Sequence, residues 1–326
     1  MDIIVQKFGG SSVKDKESLE NVISKIKVEK EKGSKVVVVV SAQGKTTDGL
    51  IAKAKEYTSN TYNKEMDLLL STGEIITVSL LTMMLKDIGY EAVGLNGSQA
   101  GIITDSNYSY AKIKMVLKEN ILKHLESNDV VVVAGFQGID KFGNITTLGR
   151  GGSDLSAVAI AAALNAKRCE IYTDVDGVYS ADPNSVKNAE LLKSVSYNEM
   201  LEAASNGAKV LHNRAVSMAK KYKLKVLVKN TKNNTRGTEI VDDIHINETK
   251  KPKILAVDKE LVKITLVGEE LTSNPNVISE LYKIAKEENI AFSDINFSET
   301  KISIIVKSDV SEMLIDKIHK SMIENV

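Results

Sequence analysis

Two glycine-rich segments of this sequence join backbone freedom to positive charge, a combination suited to holding anions. Thr147-Leu148-Gly149-Arg150-Gly151-Gly152-Ser153-Asp154 precedes an alanine-rich run, Leu155–Ala166. Its three glycines let backbone N–H groups approach an anion closely. The helix that follows adds the positive end of its dipole, with Ser153 or Asp154 expected as the N-cap. Arg150 supplies a planar fork for a carboxylate or phosphate. Lys7-Phe8-Gly9-Gly10-Ser11-Ser12 follows the same logic, with a lysine at a strand end and two hydroxyls before a helix. It is not the P-loop pattern, in which the lysine follows the glycines. Taken alone, each segment also suits an ordinary strand-to-helix turn.

A third segment, Thr173-Asp174-Val175-Asp176-Gly177-Val178-Tyr179-Ser180-Ala181-Asp182-Pro183, begins at a strand end. Its carboxylates could hold a metal-nucleotide or a ribose, and Tyr179 could flank a base; a solvated turn is the plain alternative. Its opening resembles a calcium loop, but the later ligands such a loop needs are not in place. Weaker signals are Ser71-Thr72-Gly73-Glu74 before an apolar helix, Ser41 with Thr46-Thr47, and Gly207–His212. By default Glu74 is a helix cap, Lys209 a solvated lysine, His212 a core or surface histidine, and Cys169 a small buried hydrophobe.

The elements that must position these residues alternate. Apolar runs at Ile3–Phe8, Val36–Val40, Val130–Ala134, Cys169–Tyr172 and Lys225–Val228 each end in polar or glycine-rich residues, and helical stretches such as 16–32 lie between them. Continuous apolar strands belong to a parallel sheet covered on both faces, and ligands bind beyond the carboxyl ends of such strands. The chain has 326 residues, enough for one large domain or two ordinary ones. Forty-three basic residues balance 43 acidic ones, which gives no bulk attraction to nucleic acid or to an anionic membrane. No run approaches the ~18 consecutive apolar residues of a membrane span, and the N-terminus lacks the pattern of a signal peptide. One cysteine excludes an internal disulfide framework. A cytoplasmic protein is expected.

The composition shifts near residue 248, where Asn247-Glu248-Thr249-Lys250-Lys251-Pro252-Lys253 suits a linker. The expected domains are therefore 1–248 and 249–326. Beyond the linker, strands at Val262–Val267, Ala291–Phe297 and Lys301–Val306 and helices at Val277–Glu288 and Val310–Ile323 give the β-α-β-β-α order of a ferredoxin-like module short of its final strand. Ile254–Val257 is the candidate for that strand.

Together, Val5–Val13, Ser71–Glu74, Gly149–Asp154, Thr173–Pro183 and Gly207–His212 closely resemble the aspartokinases of the amino acid kinase family, in the family's order, over roughly residues 1–240. The aspartate-rich segment is shared with glutamate, acetylglutamate and uridylate kinases. Lys-Phe-Gly-Gly-Ser-Ser combined with Gly-Arg-Gly-Gly-Ser-Asp is what selects aspartate. The resemblance implies a three-layer αβα fold around a mainly parallel sheet, with a small ferredoxin-like ACT module after it. It implies phosphorylation of L-aspartate by ATP with Mg2+, the step committing aspartate to lysine, threonine and methionine synthesis.

By the same resemblance Lys7 would neutralise the transferring phosphoryl group, and Phe8, Gly9, Gly10 and Ser11 would border the phosphates. Thr47, Glu74, Arg150, Gly151, Gly152 and Ser153 would hold aspartate. Ser41, Ser153 and Asp154 would surround the transferred group, with Asp154 organising Lys7. Thr173, Asp174, Tyr179, Asp182 and Lys209 would bind nucleotide. Asn184 stands where the family commonly has arginine. Ser273–Val277 and Ser298–Ser303 resemble the second of two ACT modules, so self-association through 253–326 into a homodimer or larger assembly is expected, with weak response to lysine and threonine. A kinase of another small carboxylic amino acid and a non-catalytic amino-acid sensor are the competing readings.

Overall fold

The structure is a computed structural model that describes residues 2–61, 63–208, 210–242, 253–258, 260–267, 275–298 and 301–324. The chain divides into two compact units, Met1–Ala256 and Val257–Val326.

The first unit is built on eight strands: β1 (Ile3–Phe8), β2 (Lys35–Val40), β3 (Ala92–Leu95), β6 (Val130–Ala134), β9 (Arg168–Thr173), β10 (Ser194–Ser196), β11 (Val226–Asn230) and β12 (Thr238–Val241). Their order is β10-β12-β11-β9-β1-β2-β6-β3, and every pairing is parallel except β11 with β12. Successive strand residues divide between two cores, which is why these runs are apolar without alternation. Val36, Val38 and Val40 face α1 (Lys16–Glu31) and α3 (Lys64–Asp87), while Val37 and Val39 face α5 (Gly152–Ala163) in the other core, to which α4 (Lys118–Ser127), α6 (Tyr197–Ser205) and α7 (Asn213–Lys221) also contribute. The result is the expected αβα sandwich.

The strand register sets up the site. Phe8 and Val40 end side by side, and Ser41 N–H donates to Phe8 O while Gly135 N–H donates to Val40 O. Gly9, Ser41 and Gly135 therefore leave the sheet at one edge. A second sheet, absent from the sequence reading, runs β5 (Ile113–Val116), β4 (Ile102–Thr104), β7 (Gln137–Ile139), β8 (Ile145–Thr147) and packs β8 on α3. Its strands are only three or four residues long, too short for a pattern to show.

Two local expectations are corrected. Ser71–Glu74 does not precede a helix: it lies inside α3, which starts seven residues earlier, just after Asn63, whose side chain accepts the Met66 N–H. Polar residues in a buried helix face mimic a helix start. Nor are Ser153 and Asp154 caps: the N-cap of α5 is Gly151, at φ 70°, and both side chains stand in the first turn.

The second unit pairs β13 (Leu261–Val267), β15 (Lys301–Lys307) and β14 (Asp294–Ser298) antiparallel, in that order. Ile302, Ile304 and Val306 pack under α8 (Pro275–Glu287) and α9 (Ser308–His319). Ile254–Val257 does not supply a further strand. Leu255 N–H donates to Ser180 O and Ile254 packs on the core of the first unit, so this segment is drawn to the larger apolar surface. The expected linker lies outside the described residues except Lys253, as do parts of the 273–277 and 298–303 motifs.

Candidate active site

Beyond the ends of β1 and β2 opens a cleft of roughly 780 Å3. Lys7, the penultimate residue of β1, reaches the third residue of α5: its Nζ lies 2.6 Å from Asp154 Oδ1. Both side chains are more than four-fifths buried, so the pair is weakly screened. Ser41 Oγ, at the end of β2, donates to Ser153 Oγ at 2.9 Å. The Gly9-Gly10 turn passes so close to the next strand's loop that a Cβ on Gly10 would sit 3.0 Å from Ala42 O. One ammonium, two hydroxyls and a bare backbone turn thus share one wall.

The Gly149–Gly152 loop lines the same cleft, held from behind by two charged side chains. Asp67, on α3, accepts Thr147 N–H at 2.6 Å, Thr147 Oγ1 at 2.8 Å and Ser109 N–H at 2.9 Å. Burial pushes the Asp67 carboxyl above its ordinary range, and these donors hold it back. Arg214, on α7, donates to Leu148 O and to Ala111 O, and its guanidinium lies over the Tyr110 ring. Arg150, between them, is exposed in the cleft and makes no ion pair within the described residues.

Glu74 faces the same space from the middle of α3. It is 2 % exposed; Oε1 accepts the Ala42 N–H at 3.0 Å, and Oε2 has no partner among the described residues. Burial raises its pKa to about 7 against that one hydrogen bond. Thr47, in the first turn of α2 (Thr46–Tyr57), lines the cleft near it.

The amino acid kinase family profile matches residues 2–230. Over 312 residues the chain is 46 % identical to an aspartokinase of Bacillus sp. (strain MGA3), spanning 95 % of this chain and 76 % of that one. The chain belongs to the aspartokinases. It is also 42 % identical over 319 residues to aspartokinase 2 of Bacillus subtilis (strain 168), covering 97 % and 78 % of the two chains. In fold it matches the crystal structure of Escherichia coli aspartokinase III in complex with aspartate and ADP, with a TM-score of 0.74 at 24 % identity over 94 % of this chain and 79 % of that one.

Of the residues that the aspartokinase resemblance singles out, Lys7, Gly9, Gly10, Ser41, Thr47, Glu74, Arg150, Gly151, Gly152, Ser153 and Asp154 meet in this cleft. Phe8 turns its ring into the core and stacks on Tyr172. Ser11, Thr173, Asp174, Tyr179 and Asp182 do not line the cleft. The Thr173 loop borders the Gly9–Ser12 turn instead, through Thr231, whose hydroxyl meets Ser12 Oγ at 2.6 Å and whose N–H donates to Thr173 O. Tyr179 donates its hydroxyl to Asp176, and Asp182 accepts the Asn184 N–H. Lys209 lies outside the described residues.

Sequence reasoning missed Asp67, Ser109, Tyr110 and Arg214, whose neighbours carry no recognisable pattern. It read His212 as bland, yet His212 lines the cleft and caps α7, its Nδ1 accepting the Arg214 N–H. Burial lowers its pKa, opposed by the nearby Asp154 charge. The Gly207–His212 motif was the available signal, and it was spent on Lys209.

Proposed function

We propose that this cleft transfers the γ-phosphoryl group of ATP to the side-chain carboxylate of L-aspartate, giving 4-phospho-L-aspartate and ADP, with the following division of labour. Arg150 takes a carboxylate of aspartate, Glu74 takes the α-ammonium group, and Thr47 and the Gly151–Ser153 backbone complete the substrate pocket. Lys7 meets the transferring phosphoryl group, Asp154 fixes the lysine, and Gly9, Gly10, Ser11 and Ser41 border the phosphates. The nucleotide runs from there toward Thr173, Asp174, Tyr179 and Asp182, and Lys209 is assigned to it by the resemblance alone.

The chemistry asks for little more. A carboxylate is already ionised at pH 7, so the nucleophile needs no base. The obstacle is bringing two anions together and neutralising the charge that passes between them. Among the described residues no cluster of three or more His, Cys, Asp or Glu side chains is arranged to hold a metal. Mg2+ fits here as an ion carried by the nucleotide phosphates, where it adds charge neutralisation.

The observation that carries this reading is the buried Glu74 Oε2 facing the same cleft as Arg150, both without a partner among the described residues. An acid and a base left open in one cleft suit a zwitterion better than they suit ATP. The test is an ATP-dependent hydroxamate assay with aspartate, glutamate and acetylglutamate on the purified chain. Turnover with aspartate alone is expected; preference for either other acid would overturn the assignment. The second unit is proposed to self-associate, because Phe297 and Val267 remain about half or more exposed on its small sheet.

A further inference from the structure

Arg214 sits where a helix least favours a cation. It is the second residue of α7, whose first turn carries no acidic side chain, so its charge lies at the positive end of the helix dipole. Among the described residues its guanidinium meets only neutral groups. No carboxylate therefore accounts for the residue; the loop that bears Arg150 does. The Arg214 fork donates to Leu148 O, immediately before that loop, and to Ala111 O at 2.8 Å. Its guanidinium carbon lies 4.5 Å from the centre of the Tyr110 ring. Its backbone N–H donates to His212 Nδ1 at 3.3 Å.

The two rings that Arg214 gathers lie against the two glycines flanking Arg150. Gly149, at φ 73°, and Gly151, at φ 70°, both have left-handed backbone. A Cβ on Gly149 would lie 2.7 Å from the Tyr110 ring, and the His212 ring fills the corresponding place at Gly151. Glycine on either side of Arg150 would otherwise give this stretch unusual backbone freedom. Here each glycine is backed by a ring, and both rings are tied to one residue. Tyr110, His212, Gly149, Arg150 and Gly151 all line the cleft, and Arg214 stands behind that lining.

We infer that Arg214 is a positioning residue for aspartate recognition: through Tyr110 and His212 it holds the Gly149–Gly151 backbone so that Arg150 stands ready for the substrate carboxylate. The inference rests on the reading of Arg150 as the aspartate ligand and adds the residue that sets that ligand's position. An arginine held in place before substrate arrives loses less freedom on binding, and the difference is read in affinity for the carboxylate. The Gly9–Gly10 turn takes no part in this arrangement, so affinity for ATP is spared. The unfavourable place of Arg214 on its own helix is offset by what it holds outside that helix.

The test is a double-mutant cycle on the full chain, read as KM for aspartate and KM for ATP. Arg214→Met, which removes the donors and keeps an unbranched side chain, is expected to raise KM for aspartate about fivefold and to leave KM for ATP within about twofold. In an Arg150→Ala background the same substitution is expected to change KM for aspartate by less than about twofold, because no arginine remains to be positioned. Arg214→Lys keeps the charge without the planar fork and is expected to recover only part of the loss. Tyr110→Ala, at a half-exposed ring that folding tolerates losing, repeats the cycle and is expected to show the same coupling to Arg150. Equal effects with and without Arg150, for Arg214→Met or for Tyr110→Ala, would overturn the inference and leave Arg214 a general support of the fold. A matching rise in KM for ATP would overturn it too. If Arg150→Ala alone leaves KM for aspartate unchanged, the reading of Arg150 fails and the inference falls with it, a result distinct from an additive cycle.

Discussion

The His212 ring occupies the space that a side chain on Gly151 would need: a Cβ there would lie 2.3 Å from His212 Cγ. Gly151 also sits at φ 70°, a left-handed conformation that costs a non-glycine residue on the order of 1–2 kcal/mol. Two independent demands, one conformational and one steric, therefore fix glycine at the head of α5. They meet where the loop bearing Arg150 passes into the helix bearing Asp154.

Gly151→Ala is accordingly expected to displace the loop and cut kcat/KM for aspartate severely, with a modest fall in thermal midpoint. Adding His212→Gly removes the clashing Cβ and ring but not the backbone strain, so partial recovery is expected, whereas His212→Ala leaves its own Cβ 2.4 Å away and should recover little. Wild-type kinetics for Gly151→Ala, measured by steady-state assay, would show that the loop position does not matter.

Lys7→Ala should leave a folded protein with kcat reduced on the order of 10²–10³, the usual effect of losing one preorganised charge contact in a transition state. It also strands Asp154 without its partner. Asp154→Asn tests the other end of the pair: if Asp154 only positions Lys7, kcat should fall less than in Lys7→Ala. Circular dichroism beside the turnover measurement separates unfolding from lost chemistry.

Much of this site was legible because its residues come in short, contiguous glycine-rich runs at strand ends. The runs that supply Lys7, Gly9, Gly10, Arg150 and Asp154 advertise both the turn and the charge. Strand boundaries were legible for a similar reason: Val36–Val40 and Val130–Ala134 are buried on both faces and have no periodicity to confuse. What stayed hidden depends on contacts distant in sequence. Asp67 meets Thr147 across 80 residues, and Arg214 meets Leu148 across 66. Neither carries a local signal. Glu74 misled because a helix cap and a buried helical acid look alike until the upstream cap at Asn63 is seen.

Asp67→Ala removes the acceptor for the Thr147 and Ser109 N–H groups. Leaving buried donors unpaired costs about 1–3 kcal/mol each, so a thermal midpoint several degrees lower is expected. Since Thr147 leads directly into the Gly149–Ser153 loop, KM for aspartate should rise as well. Destabilisation with unchanged KM would mark Asp67 as a purely structural anchor.

Arg150→Ala is expected to raise KM for aspartate at least tenfold while leaving KM for ATP within about twofold, since a charge-assisted contact contributes roughly 1.5–3 kcal/mol. Initial rates with each substrate varied at saturating levels of the other decide this. An equal rise for both substrates would place Arg150 on the nucleotide instead.

Glu74 makes the same pocket sensitive to pH. Its carboxyl titrates at about 7 rather than 4.5, because burial disfavours the charged form. An ammonium group docked on Oε2 favours the carboxylate, so aspartate binding should expel a proton wherever Glu74 was protonated. KM for aspartate is therefore expected to rise as pH falls from 8 to 6, approaching tenfold per unit well below 7. The stability of the free protein moves the opposite way. Between 4.5 and about 7 the folded state holds a proton that the unfolded chain has lost, so this group's contribution declines as pH rises through that window. Glu74→Gln should abolish both slopes, giving a pH-independent but higher KM and a flatter thermal-midpoint profile. A wild-type KM for aspartate that stays level between pH 6 and 8 would remove Glu74 from the ammonium site, whatever the stability profile shows.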